Sequence, residues 1–119
     1  MTRVYLACPS TDYRSTDLMR AVVACQKKWP NAEIFVPDPV RQIFLGNRQG
    51  IEQFVYLTWH EGQITFGVGR ELKLAASREI GLWMYNRSTE SLTQVSKVPR
   101  GILSRQETAE LERAYIEAS

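Results

Sequence analysis

The sequence predicts a three-layer α/β domain with a mainly parallel sheet of about five strands. Three observations predict it. Short apolar runs of strand length alternate with stretches whose apolar residues recur at helical spacing. Prolines and glycines punctuate the junctions between them. A glycine-rich turn also follows the third apolar run, where open α/β sheets place their chemistry.

Residues 3–8 are an apolar β run ended by Pro9, and Ser10, Thr11 and Asp12 supply turn and capping side chains. From about residue 11 to 29, Leu18, Ala21, Val22 and Cys25 recur at helical spacing, and Pro30 stops the helix. Residues 32–36 form the second strand, closed by Pro37, Asp38 and Pro39. Residues 40–53 are less regular and read as one short helix and a loop. Residues 53–59 are the third strand, 67–77 the next helix and 80–85 the fourth strand. A fifth strand falls within residues 91–98 and is broken by Pro99, Arg100 and Gly101. Ser104 followed three later by Glu107 fits a capping box that opens a final helix to about residue 116. This is the doubly wound plan of flavodoxin-like and Rossmann-like domains, in which the loops after the parallel strands gather at one edge.

At 119 residues the chain builds one compact domain with a real core, spanning residues 1–119. Apolar residues at 44% and charged residues at 24% exclude a disordered chain by composition. A formal charge of +2, with Arg and Lys dispersed, gives no footprint for polymeric nucleic acid. No run approaches a membrane span, and the apolar run at residues 4–8 is too short for a signal peptide. Cys8 and Cys25 make no secreted disulfide framework, so a cytoplasmic protein with reduced thiols is expected.

The turn from Thr65 into the helix carries the chemistry to be weighed. Gly67 and Gly69 carry no Cβ, so a ligand can approach the backbone while first-turn amides face an anion. Thr65 can cap that turn. Glu71 falls in the first two turns, where the helix dipole is expected to hold a carboxylate ionised. An ionised carboxylate beside an anion pocket is a candidate nucleophile; an acidic residue serving only the dipole is the other reading. Leu72 replaces the third glycine of a dinucleotide fingerprint, and no P-loop lysine and serine follow.

Thr65-Phe-Gly-Val-Gly-Arg-Glu-Leu-Lys-Leu-Ala75, preceded by a hydrophobic strand, resembles a motif of the nucleoside 2-deoxyribosyltransferase superfamily. Its form is closest to the 2'-deoxynucleoside 5'-monophosphate N-glycosidase branch, Ser-x-Gly-Val-Gly-x-Glu-Leu-x-x-Ala. Val4-Tyr5-Leu6-Ala7-Cys8-Pro9 is similar to that family's first strand and ligand loop, with Cys8 where glycine is usual. The two matches cover about a quarter of the chain. The resemblance implies that Glu71 is the glycosidic nucleophile and that Thr65, Gly67 and Gly69 hold the 5'-phosphate. It also implies a small-molecule nucleoside or nucleotide as ligand, no cofactor, no metal, and a homodimer or larger assembly completing its sites with a neighbour's residues.

Glycosidic cleavage needs a carboxylate under the anomeric carbon and assistance to the departing base. Tyr5, at the adjacent strand end, can orient Glu71, or is a half-buried strand tyrosine. Asp38 can protonate the base, or is a turn aspartate between two prolines. Asn47 takes the place of a further acidic residue of the closest branch, which leaves Glu52, Glu61 or Asp38 to substitute, or activity altered. Cys8 and Pro9 belong to the ligand loop. Arg14 follows it and has the best position of Asp12, Arg14, Arg70 and Arg87 to meet a phosphate. His60 has no clustered partners that would make it a metal ligand. Two rivals stand beside this reading. Cys8 and Arg14 have the Cys-x5-Arg spacing of a cysteine phosphatase, although Pro9 has no amide proton and Asp12 would repel phosphate. A nucleotide-binding module that has lost its chemistry is the other, and Asn47 is its support.

Overall fold

The computed structural model describes residues 2–118. Strands and helices follow one another as β1 (Arg3–Ala7), α1 (Thr16–Lys28), β2 (Glu33–Phe35), β3 (Gln53–Leu57), α2 (Phe66–Ser77), β4 (Gly81–Asn86), β5 (Ser91–Val95) and α3 (Arg105–Ala118). Single 3-10 turns lie at Ser10–Asp12 and Leu45–Asn47. The strands form one open sheet in the order β2-β1-β3-β4-β5.

The sheet is mixed, not mainly parallel as the alternation predicted. The β1–β2, β1–β3 and β3–β4 pairs are parallel, and β5 runs antiparallel to β4, Leu82 facing Val95 and Asn86 facing Ser91. The reason is local. Only residues 87–90 separate the two strands, whereas a parallel return needs a crossover of about a dozen residues or more. Asn86 builds the hairpin turn itself, its Oδ1 accepting from the amides of Ser88 and Thr89 at 2.9 and 3.1 Å.

The central strands β1 and β3 are buried on both faces, which is why they read as continuous apolar runs. Tyr5, Ala7, Phe54 and Tyr56 pack with Val68, Leu72 and Ala75 of α2. Val4, Leu6, Val55 and Leu57 pack on the other face with Leu18, Ala21 and Cys25 of α1. The period-2 alternation of the strands thus sends each helix to its own side. α3 contributes no buried residue. Its start is the expected capping box, with Ser104 N donating to Glu107 at 2.9 Å and Glu107 N donating to Ser104 Oγ at 3.1 Å.

Two boundaries differ from expectation. α1 begins at Thr16, not near residue 11, because residues 10–12 make the 3-10 turn and Arg14 takes a left-handed φ of 65°. Ser15 then caps the helix by accepting from Leu18 N at 3.0 Å. The helix expected within residues 40–53 shrinks to the 3-10 turn at Leu45–Asn47.

A buried ion cluster fixes the carboxyl edge of the sheet. Just after β4, Arg87 donates to both carboxylate oxygens of Asp12, at 3.2 and 2.7 Å, to Asp17 at 2.6 Å and to the Thr58 carbonyl at 2.7 Å. The Asp12 side chain is only 3% exposed, so removing the guanidinium strands a buried charge. Arg87→Met should therefore destabilise the chain by about 3–5 kcal/mol in urea denaturation. A loss below about 1 kcal/mol, the scale of a surface pair, would contradict this.

Candidate functional site

A cavity of about 690 Å³ opens where the chain leaves the carboxyl ends of β1 and β3. The fold places it there for a topological reason. The connection from β1 runs to one side, toward β2, and the sheet continues through β3 on the other, so the loops diverge and leave a crevice. Cys8, Pro9, Ser10 and Tyr13 form one wall, and Phe44, Gly46 and Asn47 a second. The start of α2, through Gly67, Arg70 and Glu71, and Thr108 and Glu112 of α3 complete the lining.

Glu71 is the sixth residue of α2, one turn beyond the amides that concentrate the dipole. Its Oε2 accepts from Leu45 N at 3.0 Å. Burial pushes its pKa above the ordinary carboxylate range, and the Leu45 amide, Tyr5 and Arg70 pull the other way without cancelling it. This corrects the expectation that the helix dipole governs its ionisation: desolvation wins. Tyr5 is fully buried, stacked on Phe54 with centroids 6.1 Å apart. Burial first, and then the nearby Glu71 charge, push its phenol well above the tyrosine range. The hydroxyl lies close enough to influence Glu71 yet meets no partner with hydrogen-bond geometry.

The glycine turn divides into two roles. Gly67 lines the cavity, and a Cβ there would meet nothing within 4 Å, so the backbone is open to a ligand. A Cβ on Gly69 would collide with the Ile102 side chain, and Gly69 does not line the cavity. Its amide donates to the Thr65 carbonyl at 2.9 Å. Gly69 is thus a packing glycine rather than an anion holder. Thr65 lines the cavity but makes no side-chain cap. The cap comes from α3 instead, Thr108 Oγ1 accepting from Phe66 N at 2.9 Å. The amides of Gly67 and Val68 meet no protein acceptor among the described residues.

Other expected site residues are not brought in. Asp38 lies outside the cavity, its Oδ1 accepting from the amides of Val40 and Arg41 at 3.0 and 3.2 Å, which is the turn role. Arg14 is exposed on its left-handed turn and does not reach the cavity. Asp12 and Arg87 bind each other instead of a phosphate. Glu52 accepts from Arg3 N at 3.2 Å at the amino end of β3, the opposite edge. Glu61 lies outside the cavity, as does His60, which stacks on Tyr115 at 5.3 Å. Asn47 does line it, its Nδ2 donating to the Gln42 carbonyl at 3.0 Å. Among the described residues no group of His, Cys, Asp or Glu forms a metal site.

The geometry gives the phosphatase reading no support. Burial, followed by the charges of Asp12 and Glu71, pushes the Cys8 thiol up to about 12, so it is not a thiolate at neutral pH, and Arg14 is elsewhere. Sequence reasoning missed Phe44, Thr108 and Glu112. The capping box fixes the helical register that places Thr108 and Glu112 four apart on one face of α3. Where α3 docks is decided by non-local contacts, Ile102 against Gly69 and Leu103 N donating to Ile64 O at 2.9 Å.

Comparison with protein-family models, with curated proteins and with solved structures finds no match for this chain. Gly69 gives a direct test of the division of roles. Gly69→Ala should cost about 1–3 kcal/mol by overpacking, and much less in an Ile102→Ala background, in a denaturation double-mutant cycle. Additive effects with no coupling would contradict the packing role.

Proposed function

We propose that the cavity cleaves the N-glycosidic bond of a 2'-deoxyribonucleoside or its 5'-monophosphate, by hydrolysis or by transfer to a second base, with Glu71 as nucleophile. The observation that carries this reading is the presence of Glu71 in the lining of a cavity of about 690 Å³, a size suited to a nucleoside. The Leu45 amide holds Oε2 of that carboxyl group. In this reading Glu71 bonds to the anomeric carbon as the C–N bond breaks, and the base leaves with the bonding pair and takes up a proton from solvent. Water or a second base then displaces Glu71 from the same carbon and gives up its proton. Tyr5 would orient the carboxylate once its hydroxyl turns to meet it; Gly67, Thr65, Asn47, Cys8 and Pro9 shape the ligand site around it. Asp38, outside the cavity, has no part in the step.

The strand order β2-β1-β3-β4-β5 and the helix clusters on opposite faces support the three-layer, flavodoxin-like plan that belongs to this reading. A cytoplasmic enzyme of nucleotide metabolism acting as a homodimer completes it, with Phe44, 39% exposed at the cavity wall, open to a second copy. The non-catalytic nucleotide-binding module is the second reading. Asn47, which cannot ionise, and the raised pKa of Glu71 favour it.

Glu71→Gln keeps the shape and removes the charge. Release of free base from a panel of deoxynucleosides and their 5'-monophosphates should fall by about 10⁴-fold or more, the scale of a lost nucleophile, while binding persists. Equal release by both chains places the nucleophile elsewhere, and no release from any substrate by the native chain leaves the binding module. The nucleophile must be ionised, so the native rate should rise with pH through an inflection above the ordinary 4.5. The same burial fixes a sign in stability. With the folded pKa raised, the contribution of Glu71 is fully present below about 4.5 and is lost as pH rises through the folded value. Glu71→Gln should therefore gain stability relative to the native chain at pH 7 and lose that gain in acid; the opposite trend in thermal melts would contradict the burial.

A further inference from the structure

We infer that Glu112 of α3 makes this cavity select an uncharged deoxynucleoside over the corresponding 5'-monophosphate. The inference rests on the glycosidic reading of the cavity and names the substrate class within it. Glu112 lines the cavity, and its Oε1 accepts from Ser10 Oγ at 3.2 Å, so the carboxylate is tethered to the β1 loop. It forms no ion pair among the described residues. One helical turn earlier, Thr108 occupies the Phe66 amide, the first donor an anion would use at the start of α2, and leaves the Gly67 and Val68 amides as the remaining donors there. Residues four apart on a helix are about 5–6 Å apart at Cβ, so Glu112 stands about one turn from that anion position.

Of the nearby cations, only Arg70 faces the cavity. Arg70 lines the cavity, and its charge acts on Glu71. Arg87 is held by Asp12 and Asp17, Arg14 lies outside the cavity, and Arg105 sits over the Phe66 ring at 4.9 Å. The wall of the cavity therefore carries two carboxylates, Glu71 and Glu112, against the single guanidinium of Arg70. Both carboxylates act on the Tyr13 phenol, which places it within the field of each.

A 5'-phosphate brings about 1.5–2 negative charges and three acceptor oxygens, all repelled by a neighbouring carboxylate. A free 5'-hydroxyl has a proton to donate, and Glu112 has acceptor capacity to receive it. The same side chain thus disfavours one ligand and hydrogen-bonds the other, a discrimination built from repulsion and attraction together.

Calorimetric binding of the four deoxynucleosides and their 5'-monophosphates to Glu71→Gln, with and without Glu112→Gln, tests this without turnover. In Glu71→Gln, where Glu112 alone faces Arg70, the preferred nucleoside should still bind more tightly than its monophosphate, and less so as salt rises. Adding Glu112→Gln should shrink that ratio at least about tenfold, chiefly by tightening the monophosphate. A monophosphate that binds as tightly as its nucleoside while Glu112 is present overturns the inference. So does an equal weakening of both ligands by Glu112→Gln, the mark of a side chain that merely holds α3 in place. If the nucleosides bind with the expected preference but the native chain releases no base, the catalytic reading falls and the selection stands. If no ligand binds either protein, both fall.

Discussion

The carboxyl edge of the sheet depends on one buried guanidinium. Arg87 joins the loop after β1 through Asp12, the start of α1 through Asp17 and the exit of β3 through the Thr58 carbonyl. Burial works against the Arg87 charge, but its two aspartate partners outweigh that cost and leave its pKa raised. Such a cluster is strong evidence of geometry rather than of stability, because desolvation offsets much of the attraction. Its effect here is positional. Cys8, Pro9 and Ser10 lie between the end of β1 and the anchored Asp12, so fixing Asp12 fixes one wall of the cavity.

The opposite side of the cavity is built less rigidly. α3 buries no residue, yet it delivers Thr108 and Glu112 to the site. Its attachment runs through Ile102, seated where Gly69 has no Cβ, and through the edge-on packing of Tyr115 against Trp59, with ring centroids 5.4 Å apart. Glu71 lies between these two sides under opposing demands. Burial in the cavity favours its protonated form, whereas nucleophilic attack needs the carboxylate. The Leu45 amide, Tyr5 and Arg70 each favour the charged form and hold the group between a silent core residue and a freely solvated one.

The parts of this arrangement that depend on local chemistry were legible in the sequence. β1 and β3 stand out as apolar runs because both faces are covered, and the α3 cap is written in Ser104 and Glu107. Glu71, Cys8, Pro9, Asn47, Thr65 and Gly67 line the cavity because each follows the end of a strand that feeds the same edge. The features set by non-local contacts were not legible. The distinction between Gly67 and Gly69 turns on where Ile102 falls, whereas the direction of β5 was missed despite a local cause, the short turn that Asn86 builds. Asp38 and Arg14 follow strand or loop ends as well, but local turns direct them elsewhere: Asp38 into its own hydrogen-bonded turn and Arg14 onto a left-handed residue at the surface. Thr108 and Glu112 are 37 and 41 positions beyond Glu71 in the sequence, and no pattern on α3 announces which edge it covers.

The central claim is covalent, and mass spectrometry tests it most directly. Native chain quenched during turnover with a panel of deoxynucleosides and their 5'-monophosphates, including slow analogues fluorinated at the 2' carbon, should carry one added sugar unit. Peptide mapping should place that unit on Glu71, and Glu71→Gln should acquire none. An adduct on another residue, or free base accumulating from the native chain with no adduct under any quench, would contradict Glu71 as the nucleophile.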